Sequence, residues 1–597
     1  MAAARELWRQ QLRAEYLQAK LGDKRPDQVV KALSVRHEQQ LRTMKALGAD
    51  EVLEVYLDAL THVYDPHSDY LGHGQMESLS IAMNLSLVGI GATLESADGY
   101  CKIRDLVAGG PAARSGLLKP GDRIVAVAQA GKEPVDVINM PLSRTVELIR
   151  GPKGSTVTLT VVPAGSGDGS PPKMASFVRD EIKLEDQEAK ARILDLPTGR
   201  NATMRLGVID LPSFYADMGE HARGGARSAT ADVARLLTKL KAEHVRGVVL
   251  NLRRNGGGSL REAITLTGLF IRKGPVVQTR DQAGHIDVDD DPDPSVLYDG
   301  PLVVLTNRFT ASASEILAGA LQDYGRALIV GDSSTFGKGT VQNILPLARV
   351  MDEAHLAHAY DPGALEITTN KFYRPSGAST QLRGVASDIV LPSTSDVMDI
   401  SEAALKDPLP WDTIPSTPHE TQDRVQPYVT ALRSKSGARV AADKDFAYLA
   451  GDIARVKKQV ATRSVSLNEA ERRQELAGLK ARRQEHERDG QRAHTDRPIA
   501  YEITLKNAST QGLPPPALES HADKDRGSSM AVSSETDELE KPSSGRSPDD
   551  IVLDESVRIL ADYVDLLTRH QASRPLRESP SGSFNTITAV GPPRRGA

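Results

Sequence analysis

A single cysteine, Cys101, stands in 597 residues, and that scarcity excludes an intramolecular disulfide and any cysteine-rich metal centre. It leaves the compartment open. Charge of one sign is also lacking: 74 Lys and Arg against 79 Asp and Glu give a formal net charge of −5. No global basic field therefore favours nucleic acid or an anionic membrane. Long apolar runs are absent as well, since stretches such as 245–252 stop at strand length, far short of the roughly 18 residues of a membrane span. The expectation is a protein without a membrane span. The opening MAAARELWRQQLRAEYLQ is charged and helix-periodic, without the apolar core of a secretory signal, so no signal peptide is visible in this chain.

What is present divides by texture, and at about 150 residues per domain the length asks for three or four domains. Residues 1–85 carry Leu, Ala, Arg, Glu and Gln at helical spacing, cleanest over 51–63, and read as a helical amino-terminal region. It closes at Asp65-Pro66-His67-Ser68-Asp69-Tyr70-Leu71, where the proline restricts the residue before it. His62, His67 and His73 with Asp65 and Asp69 fit no zinc spacing, so no metal and no cofactor is expected. Over 175–400, short apolar strands at 206–209, 247–252, 302–306 and 327–330 alternate with helical patterns at 230–243, 260–271 and 313–324. That alternation predicts an α/β core with much parallel pairing. Residues 287–291 open like a calcium loop, but Pro292 and Tyr298 occupy the positions of its glycine and glutamate, so they read as an acidic surface loop. Residues 410–511 read as a charged helical region, 512–548 as a disordered linker, 549–570 as a terminal helix and 571–597 as a flexible tail.

Between 86 and 165 short strands are separated by glycine turns, with GGPAARSGLLKPGDRIVAV and VGIGATL as the marked stretches. This segment resembles a PDZ domain of the bacterial, protease-associated kind. Such domains add an extended peptide to a strand edge and hold its terminal carboxylate on backbone N–H groups of a glycine-containing loop. Here that loop corresponds to Gly89, Ile90 and Gly91.

The chemistry centres on 301–342, which reads as strand, turn, helix, strand and a glycine-flanked lysine. Ser312-Ala313-Ser314-Glu315 matches a capping box, and capping alone explains such a serine. At a helix start, however, a serine hydroxyl also lies beside free N–H groups that can stabilise an oxyanion. Lys338, in Thr335-Phe336-Gly337-Lys338-Gly339, supplies a base if it is neutral, and residues 335–342 contain no carboxylate to keep it charged. Gln342 is placed to orient the amine. Asp323 lies eleven residues beyond Ser312, roughly 16 Å along the helix, too far for direct contact.

TASASEILAGALQDYGRALIVG and TFGKGTVQ, with NLRRNGGG, DPHSDYL and NKFYRPSGASTQLRGVASDIVLP, resemble the carboxyl-terminal processing peptidases, family S41, in their long tail-specific form. The resemblance implies a multidomain α+β protein: a crotonase/ClpP-like α/β serine-protease core, an inserted PDZ domain, and helical N- and C-terminal regions. It also implies Ser312 as nucleophile, Lys338 as base, Gln342 beside it, Asp323 in the catalytic set, where its distance makes it a supporting residue, and oxyanion donors at Ala313 and at Gly256 or Gly257. Implied partners are protein substrates with apolar free C-termini and a lipoprotein adaptor, in the periplasm. The alternative is a PDZ-bearing peptide-binding scaffold that has lost its chemistry.

Overall fold

The computed structural model describes residues 1–22, 25–45, 47–97, 99–166, 171–198, 202–217, 227–356, 361–492, 498–517 and 547–572. The linker expected over 512–548 and the tail over 571–597 fall almost wholly outside these.

Alternating apolar runs and helical stretches build a seven-stranded sheet in the order Ile389–Val390, Leu328–Gly331, Leu302–Thr306, Val248–Asn251, Thr203–Asp210, Lys190–Pro197 and Ile499–Ile503. The first five strands are parallel and the last two join antiparallel. Parallel strands need cover on both faces, and the period of two supplies apolar residues to each. Val248, Leu250, Val304 and Ile329 pack with the helices Ala229–Ala242, Leu260–Gly268 and Ala313–Asp323. Val249, Val303, Leu305, Leu328 and Val330 pack with Gln426–Ala442 and Pro548–Ala572 on the other side. Ser228 and Ser259 start two of these helices as N-caps, accepting the N–H groups of Ala231 and Glu262.

A second, antiparallel sheet orders Asp69–Leu71, Ala364–Tyr373, Gly274–Asp281 and Ile286–Asp291, with Thr340–Pro346 also paired to Ala364–Tyr373. The expected acidic loop is thus an edge strand, because Ile286–Asp291 finds a ladder partner in Gly274–Asp281. Its exposed Asp287 and Asp290 suit an edge, where charge discourages further strand pairing.

The PDZ segment forms a sheet ordered Ala92–Ala97, Tyr100–Leu106, Arg123–Gln129, Thr156–Val162 and Lys173–Val178, with helices Pro111–Ser115 and Leu142–Ile149. A two-stranded ribbon, Ser86–Gly89 with Asp180–Lys183, ties it to the core. Ahead of it lie helices Ala2–Leu21, Pro26–Lys45, Ala49–Thr61 and His73–Asn84. The amphipathic stretch at 51–63 does form a helix, yet its apolar Val52, Leu53, Val55, Tyr56 and Leu60 are exposed. No helix among the described residues is long and apolar enough to cross a membrane.

Candidate active site

Ser312 sits where the strand Leu302–Thr306 turns into the helix Ala313–Asp323, with φ 58° and ψ −118°. An L-residue held there costs on the order of 1–3 kcal/mol, so its surroundings must enforce the geometry. They do so through two neighbours. Gly257 packs so closely, at φ 108°, that a Cβ on it would lie 2.8 Å from Ser312 Cβ. Glu315 accepts the Ser312 N–H at 2.8 Å. The Ser312 hydroxyl itself makes no hydrogen bond among the described residues and caps nothing.

Glu315 is fully buried and joins the two halves of the site. Besides Ser312, it accepts the N–H groups of Gly337 at 2.8 Å and Lys338 at 3.0 Å, and the Thr335 hydroxyl. One carboxylate therefore fixes the serine turn against the lysine loop. Burial pushes its pKa up to about 8, against those same hydrogen bonds. From the sequence Glu315 was visible only as the end of a capping box, because its other partners stand 20 to 23 residues further along the chain.

The lysine loop is held along its backbone. Phe336 N–H donates to Thr310 O at 2.9 Å, Thr380 Oγ1 donates to Lys338 O at 2.8 Å, and Gly339 N–H donates to Gln381 Oε1 at 2.7 Å. Burial draws the Lys338 ammonium below the ordinary lysine value, while Glu366, Glu402, Glu315 and Asp65 pull it back up. Residues 335–342 hold no carboxylate, as read from the sequence, but the fold brings four from elsewhere. No hydrogen bond joins Lys338 Nζ to Ser312 Oγ, and the amine has no ion-pair partner among the described residues.

Asn255 ties the glycine loop to the serine turn. Its side chain accepts Gly257 N–H at 2.9 Å, and its carbonyl accepts Ala311 N–H and the Ser314 hydroxyl, both at 3.0 Å. Gly257 N–H is therefore engaged, whereas those of Gly256 and Ala313 have no acceptor among the described residues. Gln342 does not touch Lys338; its Nε2 donates to Thr340 Oγ1 and Thr368 Oγ1, each at 2.9 Å. Asp323 lies at the far end of its helix, paired with Arg374 and accepting Ser376 N–H at 3.0 Å.

In the PDZ segment Gly89 ends the ribbon strand, opposite Asp180. Ile90 is buried in the segment's core, and Gly91 turns at φ 76° into the edge strand Ala92–Ala97. The carbonyls of Ile90 and Gly91 accept from Ala112 and Val107, while their N–H groups have no acceptor among the described residues. Asp58, His62 and Asp69 have ligand-type atoms within 4.8 Å of one another, although His67 and His73 pair elsewhere, with Glu402 and Asp361.

Family models match the chain in series: the tail specific protease N-terminal domain at 1–73, a PDZ domain at 78–162, peptidase family S41 at 205–391, and the C-terminal domain of tail specific protease at 395–565. Fold and site thus define a serine-type peptidase with a PDZ domain set between helical and catalytic parts. The tail-specific protease of Haemophilus influenzae is 37% identical over 505 residues, covering 83% of this chain and 69% of that protein. The carboxy-terminal-processing protease of Bartonella bacilliformis is 32% identical over 59% of this chain and 73% of its own. CtpA of Bacillus subtilis, a carboxy-terminal processing protease, is 29% identical over 62% of this chain and 70% of its own. The chain belongs to peptidase family S41, among the tail-specific, carboxy-terminal processing proteases.

Proposed function

We propose that this peptidase works through a Ser312–Lys338 dyad and selects proteins by an apolar, free carboxyl terminus held on its PDZ domain. The observation that carries the reading is Ser312, strained in its backbone and with a hydroxyl unpaired among the described residues, whose N–H is tied through Glu315 to the backbone of a lysine whose charge burial disfavours. Neutral Lys338 takes the Oγ proton as Ser312 attacks the peptide carbonyl. The oxyanion lies between Ala313 N–H and Gly256 N–H, the two candidate donors without acceptors among the described residues. The ammonium then protonates the leaving amine, and water repeats the sequence on the acyl-enzyme. The two side chains must close on each other for the first transfer, and catalytic contacts commonly tighten once substrate is bound. Gln342 braces the strand that follows the lysine through Thr340 and Thr368, and Asp323 braces the helix end through Arg374. The same resemblance assigns the enzyme to the periplasm, with a lipoprotein adaptor.

A peptide terminus fits the PDZ edge in the same way. Ala92–Ala97 is an edge strand among the described residues, the helix Leu142–Ile149 flanks it, and the Ile90 and Gly91 N–H groups are the donors we assign to the carboxylate. Degradation of an unfolded protein with an apolar terminus tests the dyad. Ser312→Ala and Lys338→Arg are expected to fall by at least about a thousandfold, since a guanidinium stays protonated. Appreciable turnover by Lys338→Arg would remove the lysine from the role of base.

A further inference from the structure

The turn at Asp65–Tyr70 comes from the amino-terminal region, yet it ends beside the lysine. Asp69–Leu71 pairs antiparallel with Ala364–Glu366, which places Asp69 opposite Glu366. Within the turn, Asp65 accepts His67 N–H at 2.9 Å, the Ser68 hydroxyl at 2.6 Å and the Thr368 hydroxyl at 2.9 Å. The His67 ring reaches further. Its Nε2 lies 2.8 Å from Glu402 Oε2, with the histidine side chain 17% exposed and the glutamate 0%. Glu402 Oε1 accepts Gln381 Nε2 at 2.8 Å, and Gln381 Oε1 accepts Gly339 N–H, next to Lys338, at 2.7 Å. Glu402 N–H also donates to Phe336 O at 3.0 Å. His67 thus stands at the end of a hydrogen-bonded chain that reaches both sides of the lysine.

Charge gives this chain a purpose. Four carboxylates face Lys338, and each favours the ammonium unless something offsets it. Glu315 is met by three backbone N–H groups, and Asp65 by one N–H and two hydroxyls. Glu366 is half-buried, and burial pushes its pKa up, toward the neutral form. Glu402 is met by the His67 ring at 2.8 Å, and the same ring also acts on Glu366. The charged groups around that ring are Glu402, Glu366 on the facing strand, Asp65 and Asp69 of its own turn and, beyond Glu402, Lys338.

We propose that His67 is a positioning residue for Lys338: its ring holds the buried Glu402 carboxylate away from the amine, and through Glu402 and Gln381 it braces the Gly339 end of the lysine loop. This rests on the dyad reading, in which Lys338 acts as a neutral amine. The amino-terminal turn is then part of the catalytic apparatus rather than only a connection.

The test is the pH profile of kcat/KM with the full chain and an unfolded protein substrate bearing an apolar terminus. His67→Leu removes the hold on Glu402, and its ascending limb is expected about one pH unit to the alkaline side, with activity recovered at high pH. His67→Gln keeps a donor toward Glu402 and is expected near the wild-type limb. His67→Leu combined with Glu402→Gln removes the released carboxylate as well and returns the limb toward wild type. A loss equal at all pH values in His67→Leu, an alkaline shift as large in His67→Gln, or a double variant no better than His67→Leu overturns the proposal. Turnover by Lys338→Ala would instead remove the dyad reading itself, so the two failures are told apart.

Discussion

Glu315 shows how one side chain can matter through what it holds. Its two oxygens accept three backbone N–H groups and one hydroxyl in a site with no solvent exposure. Glu315→Gln exchanges one acceptor oxygen for an NH2 group that faces donors, leaving buried N–H groups unpaired at about 1–3 kcal/mol each. A loss of about 2–4 kcal/mol in urea unfolding is expected, with a lower kcat and unchanged peptide affinity at the PDZ domain. pH adds a second signature. Burial raises the folded pKa to about 8 from an ordinary 4.5, so the folded state binds more protons between these values. Its stabilising contribution is fully present below about pH 4.5 and is lost as pH rises through about 8. Unfolding midpoints of wild type measured across that window should fall, and those of Glu315→Gln should fall less. Ser312 and Lys338 were legible as local motifs because each carries its own neighbours. Glu315's wider role was not, since the second sheet delivers its partners.

At the scale of elements, the parallel strands were the most legible, because continuous Val, Ile and Leu runs between helical patterns admit few other arrangements. The antiparallel sheet was not, because Ile286–Asp291 is too acidic to read as a strand until Gly274–Asp281 pairs with it. In the PDZ segment the glycine motif falls between two strands, Ser86–Gly89 and Ala92–Ala97, because Gly91 at φ 76° breaks the extended run. The N–H groups of Ile90 and Gly91 have no acceptor among the described residues and lie beside an edge strand of the described sheet. A peptide carboxylate there gains charge-assisted hydrogen bonds that an amide cannot match. Amidating the carboxyl terminus of an apolar peptide is therefore expected to weaken binding by about tenfold or more, read by fluorescence anisotropy. Equal affinity would place recognition elsewhere.

Across the whole molecule, the core sheet is closed by a helix far away in sequence. Pro548–Ala572 buries Val552, Leu553, Val557, Ile559, Leu560, Tyr563 and Val564 against the face opposite Ser312. The fit is close: a Cβ on Gly247 would lie 2.8 Å from Leu560 Cδ1. At about 1.5–3 kcal/mol for each large buried side chain, these residues together contribute on the order of ten kcal/mol. That equals the net stability of an ordinary domain, so the core depends on this helix. A chain ended at residue 546 keeps every residue of the proposed dyad and oxyanion site, yet is expected to expose Val249, Val303, Leu305 and Val330, bind a hydrophobic dye and lose proteolysis. Leu560→Ala separates stability from chemistry. It should cost about 2–5 kcal/mol in urea unfolding while kcat/KM at 25 °C stays near wild type, because the cavity lies across the sheet from the site. A large fall in kcat/KM with unchanged unfolding would mean that this helix acts on the active site directly rather than by completing the core.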